Sequence, residues 1–191
     1  MRKWNDWTTS WKIHLPETIC CLSRFFFLQT PYISKIWNNN ENIMTEMSKK
    51  EIKKFLMQGT LTGKLATVKK DGSPHVVPIW FIVDDDNDNG DIIFTTNSTS
   101  VKSKNIQRDN RISICVDYQV PPFSFVNVEG IAKIQHYKHN ELLKWTTKIA
   151  QRYMGKKNAE AYGKRNSTEG EVLVRINPTR IIAEKDIAGW N

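Results

Sequence analysis

The chain is poor in the residues that several kinds of chemistry require. Only three of its 191 residues are cysteine, two of them adjacent. That is too few for a disulfide framework and suits a reducing, cytoplasmic setting. There is no CxxC pair, and the four histidines are scattered, so no zinc site is expected. GxGxxG, the usual dinucleotide fingerprint, is missing, and Gly59–Lys64 has the wrong spacing for a P-loop, with Leu65 where Ser or Thr should follow the lysine. No apolar run reaches the roughly 18 residues of a membrane span. No acid/base or nucleophile constellation is present, so an enzyme built on this chain would draw its chemistry from a cofactor.

What is present suffices for one ordinary domain with a tail. Hydrophobic residues make up 39% and charged residues 25%, and the balance of 28 basic to 20 acidic residues gives a net charge of +8. A basic balance suggests an anionic partner without saying which. Residues 1–43 differ from the rest. They hold four of the seven Trp, two of the three Cys and none of the nine Gly, with no clear helical or strand period. The apolar run Ile19–Leu28 is broken by Arg24. This segment reads as an extension outside the fold, with Met44 or Met47 as a working start; a membrane-touching or partner-binding arm and a signal peptide are the alternatives. It carries five basic and three acidic residues, so residues 44–191 keep a charge of +6.

From Met47 onward the local signals are clear. Ser48 and Glu51 form a capping box, Ile52, Phe55 and Leu56 give the next helix an apolar face, and Gly59 ends it. Strands are expected over Leu65–Val68, His75–Val83, Ile92–Thr96, Arg111–Asp117, Ser124–Ile134, Glu171–Ile176 and Arg180–Glu184. Asp71-Gly72 marks a hairpin turn, residues 84–91 an acidic turn, and Gly130 a bulge. Glu141–Met154 has helical spacing. Six or seven short strands at hairpin spacing with few helices make the fold mainly β, a closed or split barrel with flanking helices. Cys115 lies in an apolar strand and is expected to be a core thiol; His75 is structural or touches a ligand.

The sharpest local signal is residues 94–106, FTTNSTSVKSKNI. A strand ends in hydroxyls and a short helix follows, capped by Ser98, Thr99 or Ser100. The helix N-terminus favours an anion, Lys102 and Lys104 add positive charge, and Thr95, Thr96 and Ser100 offer donors. This is either a phosphate cradle or an ordinary capped helix with a solvated basic face. Lys102, Lys104, Arg108 and Arg111 cluster as in nucleic-acid binders, but no aromatic platform accompanies them, so no nucleic-acid partner is expected.

Four blocks occur in order: GTLTGKLATVKKDGSPHVVPIWF, GDIIFTTNSTSVKSKNIQRDNRISICVD, FSFVNVEGIAKI and VLVRINPTRIIA. Over residues 47–191 the chain resembles the pyridoxamine 5′-phosphate oxidase-like split-barrel family, and within it the flavin/deazaflavin oxidoreductase branch, whose members often use coenzyme F420. The resemblance implies a six-stranded split β-barrel of the FMN-binding type. It implies a homodimer with shared cofactor sites, Pro121–Phe125 facing the partner, and a small-molecule substrate. By position, Val77, Pro78, Ile79 and Trp80 would line the flavin or deazaflavin ring. Thr95, Thr96, Ser100, Lys102 and Asn105 would hold the ribityl chain and phosphate. Pro178-Thr179-Arg180 fits the family's last strand, and Trp190 falls near its usual aromatic end. The full arginine-rich pattern of the pyridoxamine phosphate oxidases proper is not found, which lowers the vitamin B6 reading. The expectation is therefore hydride transfer from F420 to an unsaturated or quinone-like acceptor. FMN in the same role and a non-catalytic flavin- or haem-binding module are the alternatives.

Overall fold

A computed structural model describes residues 45–84 and 90–189. The expectations for residues 1–43, the tip of the acidic turn and Trp190 lie outside the described residues.

The order along the chain is β1 (Thr45–Glu46), α1 (Lys49–Leu56), β2 (Gly63–Val68), β3 (Pro74–Ile79), β4 (Ile82–Val83), β5 (Ile92–Asn97), α2 (Val101–Arg108), β6 (Arg111–Tyr118), β7 (Ser124–Gln135), α3 (His139–Met154), α4 (Lys156–Arg165) and β8 (Glu171–Lys185). All strand pairings are antiparallel, in the order β3-β2-β6-β7-β8-β5-β4, with β1 beside the far end of β8. The two ends of that order, β3 and β4, are separated by only Trp80 and Phe81. The sheet therefore curls back on itself into a split barrel whose seam is this dipeptide.

Two cores follow from the pleat. Inside the barrel lie Leu65, Ile79, Phe81, Val83, Ile92, Phe94, Ile114, Val116, Val126, Val128, Val174 and Ile176, closed off by Phe55 and Leu56 of α1 and Ile106 of α2. The alternate residues of β4, β5 and β8, namely Ile82, Ile93 and Leu173, face outward against Leu142 and Ile149 of α3. These strands are buried on both faces, which is why Ile92-Ile93-Phe94 reads as an unbroken apolar run. Gly163 lets α4 approach α3: a Cβ there would stand 2.1 Å from the Thr147 Oγ and 3.0 Å from its Cα.

Three expectations are corrected. His75–Val83 is not one strand, because the chain leaves β2 at Trp80 and joins β5 at Ile82. The last two strands are a single β8; the register slips between Glu129 and Gly130, so Thr179 is the extra residue and Pro178 is tolerated beside Gly130. Cys115 is not a core thiol. It lies half-buried on the outer face of β6, in the row of Ser113 and Asp117, where burial and the Asp117 charge push its pKa up.

Candidate functional site

Two segments expected to bind a ligand meet at one end of the sheet. Ile82 pairs with Ile93 antiparallel, so stepping back from Ile82 into the seam runs in the same direction as stepping forward from Ile93 to Thr95 and Asn97. The helix α2 starts immediately beyond. Ser100 is its N-cap, with Oγ accepting from the Ser103 N–H at 3.3 Å and 3.1 Å from the Thr96 Oγ1. Of the cap candidates, then, Ser100 serves the helix. Asn97 shapes the turn instead, its Oδ1 accepting from the Thr99 N–H at 3.0 Å and the Thr99 hydroxyl at 2.6 Å. The first turn of α2 holds no acidic residue, and the N–H groups of Val101 and Lys102 have no acceptor within the helix.

The alternation of the strands divides the nine residues. Val77 and Ile79 point into the barrel with Phe81, while Pro78 is exposed on the outer side, where Trp80 packs against α3. On β5, Thr96 follows the inward row of Phe94, and Thr95 the outward row of Ile93. Asn105 is buried, donates to the Thr67 hydroxyl at 2.9 Å and accepts from Arg108 at 3.3 Å. Arg108 also bonds the Val68 carbonyl, so this group fastens α2 to β2. His75 stands at the edge of the same network, its Nδ1 3.5 Å from the Thr67 hydroxyl. One set, Pro78, Trp80, Thr95 and Lys102, is thus offered outward; the other, Val77, Ile79, Thr96 and Asn105, belongs to the barrel and its end, with Ser100 between them.

The outward set has partners that the sequence did not reveal. The Trp80 indole stacks on Tyr153, ring centres 4.9 Å apart and planes 3° from parallel, with Tyr162 tilted 6.4 Å away. The Tyr153 hydroxyl donates to the Leu61 carbonyl at 2.9 Å and accepts from the Phe81 N–H at 3.2 Å. Arg152 beside it donates to the carbonyls of Leu56, Gly59, Leu61 and Phe81 and lies over the Phe81 ring at 4.5 Å. Lys102 is half-buried; burial lowers its pKa and the Glu171 carboxylate opposes that. Glu171 opposes Asn97 in the β5–β8 register; burial raises its pKa, while its hydrogen bond with Asn97 and the charge of Lys102 oppose the rise. Asn97 closes the hydroxyl-rich run and was within reach of sequence reasoning. Glu171 lies far along the chain and enters only through strand pairing.

A phosphate-bearing cofactor fits this donor set: a helix N-terminus free of acids, a lysine, hydroxyls, and an aromatic surface beside them. The Ser103 Oγ is fully buried without a hydrogen-bond partner, a further polar atom in the first turn of α2. Among the described residues no group of three or more His, Cys, Asp or Glu side chains is placed to hold a metal ion, and no helix is long and apolar enough to cross a membrane.

Comparison with known proteins follows the same line. The family model of pyridoxamine 5′-phosphate oxidase matches residues 48–184. A conserved hypothetical protein from Mycobacterium tuberculosis is 27% identical, with a TM-score of 0.65 over 78% of this chain and 91% of that one. An F420 reductase is 24% identical, with a TM-score of 0.52 over 67% of this chain and 94% of its own. The haem storage protein of Vibrio cholerae is 17% identical, with a TM-score of 0.55 over 71% and 94%. The last two likenesses are likenesses of fold. No curated protein matches the chain.

Proposed function

The chain belongs to the pyridoxamine 5′-phosphate oxidase family, and on that premise we propose that it is an oxidoreductase that binds F420 and passes a hydride to a small unsaturated or quinone-like acceptor. The family binds flavins; F420 rather than FMN is the finer step. The observation that carries the proposal is the meeting, at one end of the sheet, of the α2 N-terminus and Lys102 with the Trp80 seam. When bound, the cofactor supplies the hydride, from C5 of a reduced deazaflavin or N5 of FMN. The chain's own residues bind and orient. Lys102 and the first-turn N–H groups of α2 take the phosphate, and Ser100 holds that turn open by capping it through its side chain. Thr95 offers a hydroxyl to the ribityl chain. Trp80, fixed by Tyr153, gives an apolar wall that keeps water from one side of the ring. Val77 and Ile79 act from within, by packing, and Asn105 by seating α2. The charge of +6 on residues 44–191 favours F420, which bears an oligoglutamate tail as well as a phosphate.

The same proposal includes a cytoplasmic homodimer and a folded unit that spans 44–191, with residues 1–43 outside it. Fluorescence titration of the full chain with F420 and with FMN tests the cofactor. Tight F420 and weak FMN binding is the expected result, and the reverse makes the protein an FMN enzyme of the same family. Turnover of reduced cofactor against a panel of acceptors separates an enzyme from a carrier: binding without turnover would assign the barrel to ligand storage.

A further inference from the structure

The Lys102 side chain does not face its ligand as an uncompensated charge. Glu171 opens β8 directly opposite Asn97, and its N–H donates to the Thr168 carbonyl at 3.1 Å. The backbone before it is fixed as well. Gly170 has φ of +87°, accepts from the Ser98 N–H at 2.8 Å, and would bring a Cβ within 3.2 Å of the Asn97 Nδ2. Asn97 commits its oxygen to Thr99, and its amide nitrogen lies on the side of Gly170, next to Glu171. The start of β8, and Glu171 with it, is therefore fixed against the turn that leads into α2.

The charge count at this spot is small. Lys102 and Glu171 cancel, and the α2 N-terminus contributes about half a positive charge. Lys104, two residues on, does not share a helix face with Lys102 and is exposed. Burial disfavours both charges, so each is kept ionised partly by the other. A group with one negative charge fits such a site. A second negative charge would meet Glu171, and among the described residues Lys102 is the one cation that acts on it.

We propose that Glu171 sets the charge preference of the cradle, favouring a phosphodiester, which carries one negative charge, over a phosphomonoester, which carries close to two near neutral pH. This rests on the cofactor reading above and sharpens it: F420 holds its phosphate as a diester and FMN as a monoester. The test uses the full chain and dissociation constants for F420, FMN and phosphate-free riboflavin, in wild type, Glu171→Gln and Lys102→Ala. Glu171→Gln keeps the size and polarity of the side chain and removes the charge. It should tighten FMN about fivefold, F420 about twofold or less, and leave riboflavin unchanged, the scale of one like-charge contact in a half-exposed setting. Glu171→Asp, which keeps the charge, should leave the FMN-to-F420 ratio at its wild-type value. If Glu171→Gln moves both phosphate ligands equally, or neither, while Lys102→Ala still weakens them, the role of Glu171 is wrong and the cradle stands. If Lys102→Ala changes nothing, or neither phosphate ligand binds better than riboflavin in any variant, the cradle itself is wrong and this inference falls with it.

Discussion

Lys102 is a half-buried cation that already feels the charge of the Glu171 carboxylate, so its worth to a ligand is smaller than that of a bare lysine. Charged hydrogen bonds contribute about 1.5–3 kcal/mol, and the Glu171 partner argues for the lower end. Lys102→Ala should therefore weaken phosphate-ligand binding by about 1.5 kcal/mol with little change in melting temperature; an unchanged dissociation constant in a titration would remove Lys102 from the site. A second residue-scale prediction concerns Glu51. Hydrogen bonds from Lys185 and Ser48 hold its pKa at about 2, against an ordinary value of 4.5. Its Oε1 lies 2.6 Å from the Lys185 Nζ, and its Oε2 2.8 Å from the Ser48 N–H. A carboxylate with a depressed folded pKa stabilises the fold above about 4.5, and that contribution is lost as pH falls toward 2. Thermal melts of wild type and Glu51→Gln should differ at pH 6, with the variant less stable, and converge near pH 2; a constant gap across that range would refute the linkage. The capping box was legible because it is contained in four consecutive residues. The placement of Cys115 was not, because its exposure depends on which side of β6 the barrel lies, and the sequence RISICVD alternates without naming the inner side.

At the scale of elements, one side chain of α3 ties together parts of the fold that carry the seam. Arg152 reaches the C-terminal end of α1 through the Leu56 and Gly59 carbonyls, the approach to β2 through Leu61, and the seam through Phe81. Burial lowers its pKa, and the four carbonyls supply the compensating dipoles. Arg152→Met keeps much of the packing over Phe81 and removes every donor, so it should cost roughly 2–3 kcal/mol. Arg152→Lys should recover less than half, because a single ammonium cannot reproduce the planar fork. Denaturant melts measure both, and a Lys variant as stable as wild type would show that charge alone suffices. The same element explains why the seam escaped sequence reasoning. HVVPIWFIV is apolar and β-prone throughout, with no local sign that the chain changes neighbours at Trp80; the break arises because a curled sheet must close. The last strand failed in the opposite way. Two strands, Glu171–Ile176 and Arg180–Glu184, are expected from the sequence, but Gly130 on the facing strand leaves room for the slip, and β8 runs unbroken to Lys185. The short helix α4 was missed because its charged sequence KKNAEAYGKR buries only Ala159 and Gly163, too little to show a period.

For the whole molecule, the two outer faces of the barrel are unlike. The face formed by β4, β5 and the start of β8 is covered by α3. The face formed by β3, β2, β6 and β7 has no covering element among the described residues. Large apolar side chains stand in water there and on the adjoining β6–β7 loop: Val76 at 60% exposure, Val120 at 53% and Phe123 at 40%, with Val68 and Tyr118 close behind. A shallow groove of about 560 Å³ runs across it between Ala66, Val68, Pro74, Ser113 and Ile131. These exposed apolar side chains, with the polar pairs Lys64–Asp117 and Ser113–Asn127 between them, are the surface for which a second copy of the chain is the proposed occupant. The β6–β7 loop is ordered for such a role without a partner, since the Ile187 and Ala188 N–H groups donate to the Phe123 and Pro122 carbonyls at 3.1 and 2.8 Å. Light scattering at micromolar concentration should give twice the 22.2 kDa chain mass. Placing a charge at the most exposed of these positions, Val76→Glu, should shift the mass toward the monomer, because two like charges would be brought close across a twofold contact. Pro78 is exposed on β3, two residues from Val76 on the same face and next in sequence to the seam. Loss of the dimer should therefore also weaken cofactor binding, read in the same titration. A wild-type monomer at these concentrations would remove the shared site, and a Val76→Glu dimer with wild-type affinity would move the interface elsewhere on the barrel.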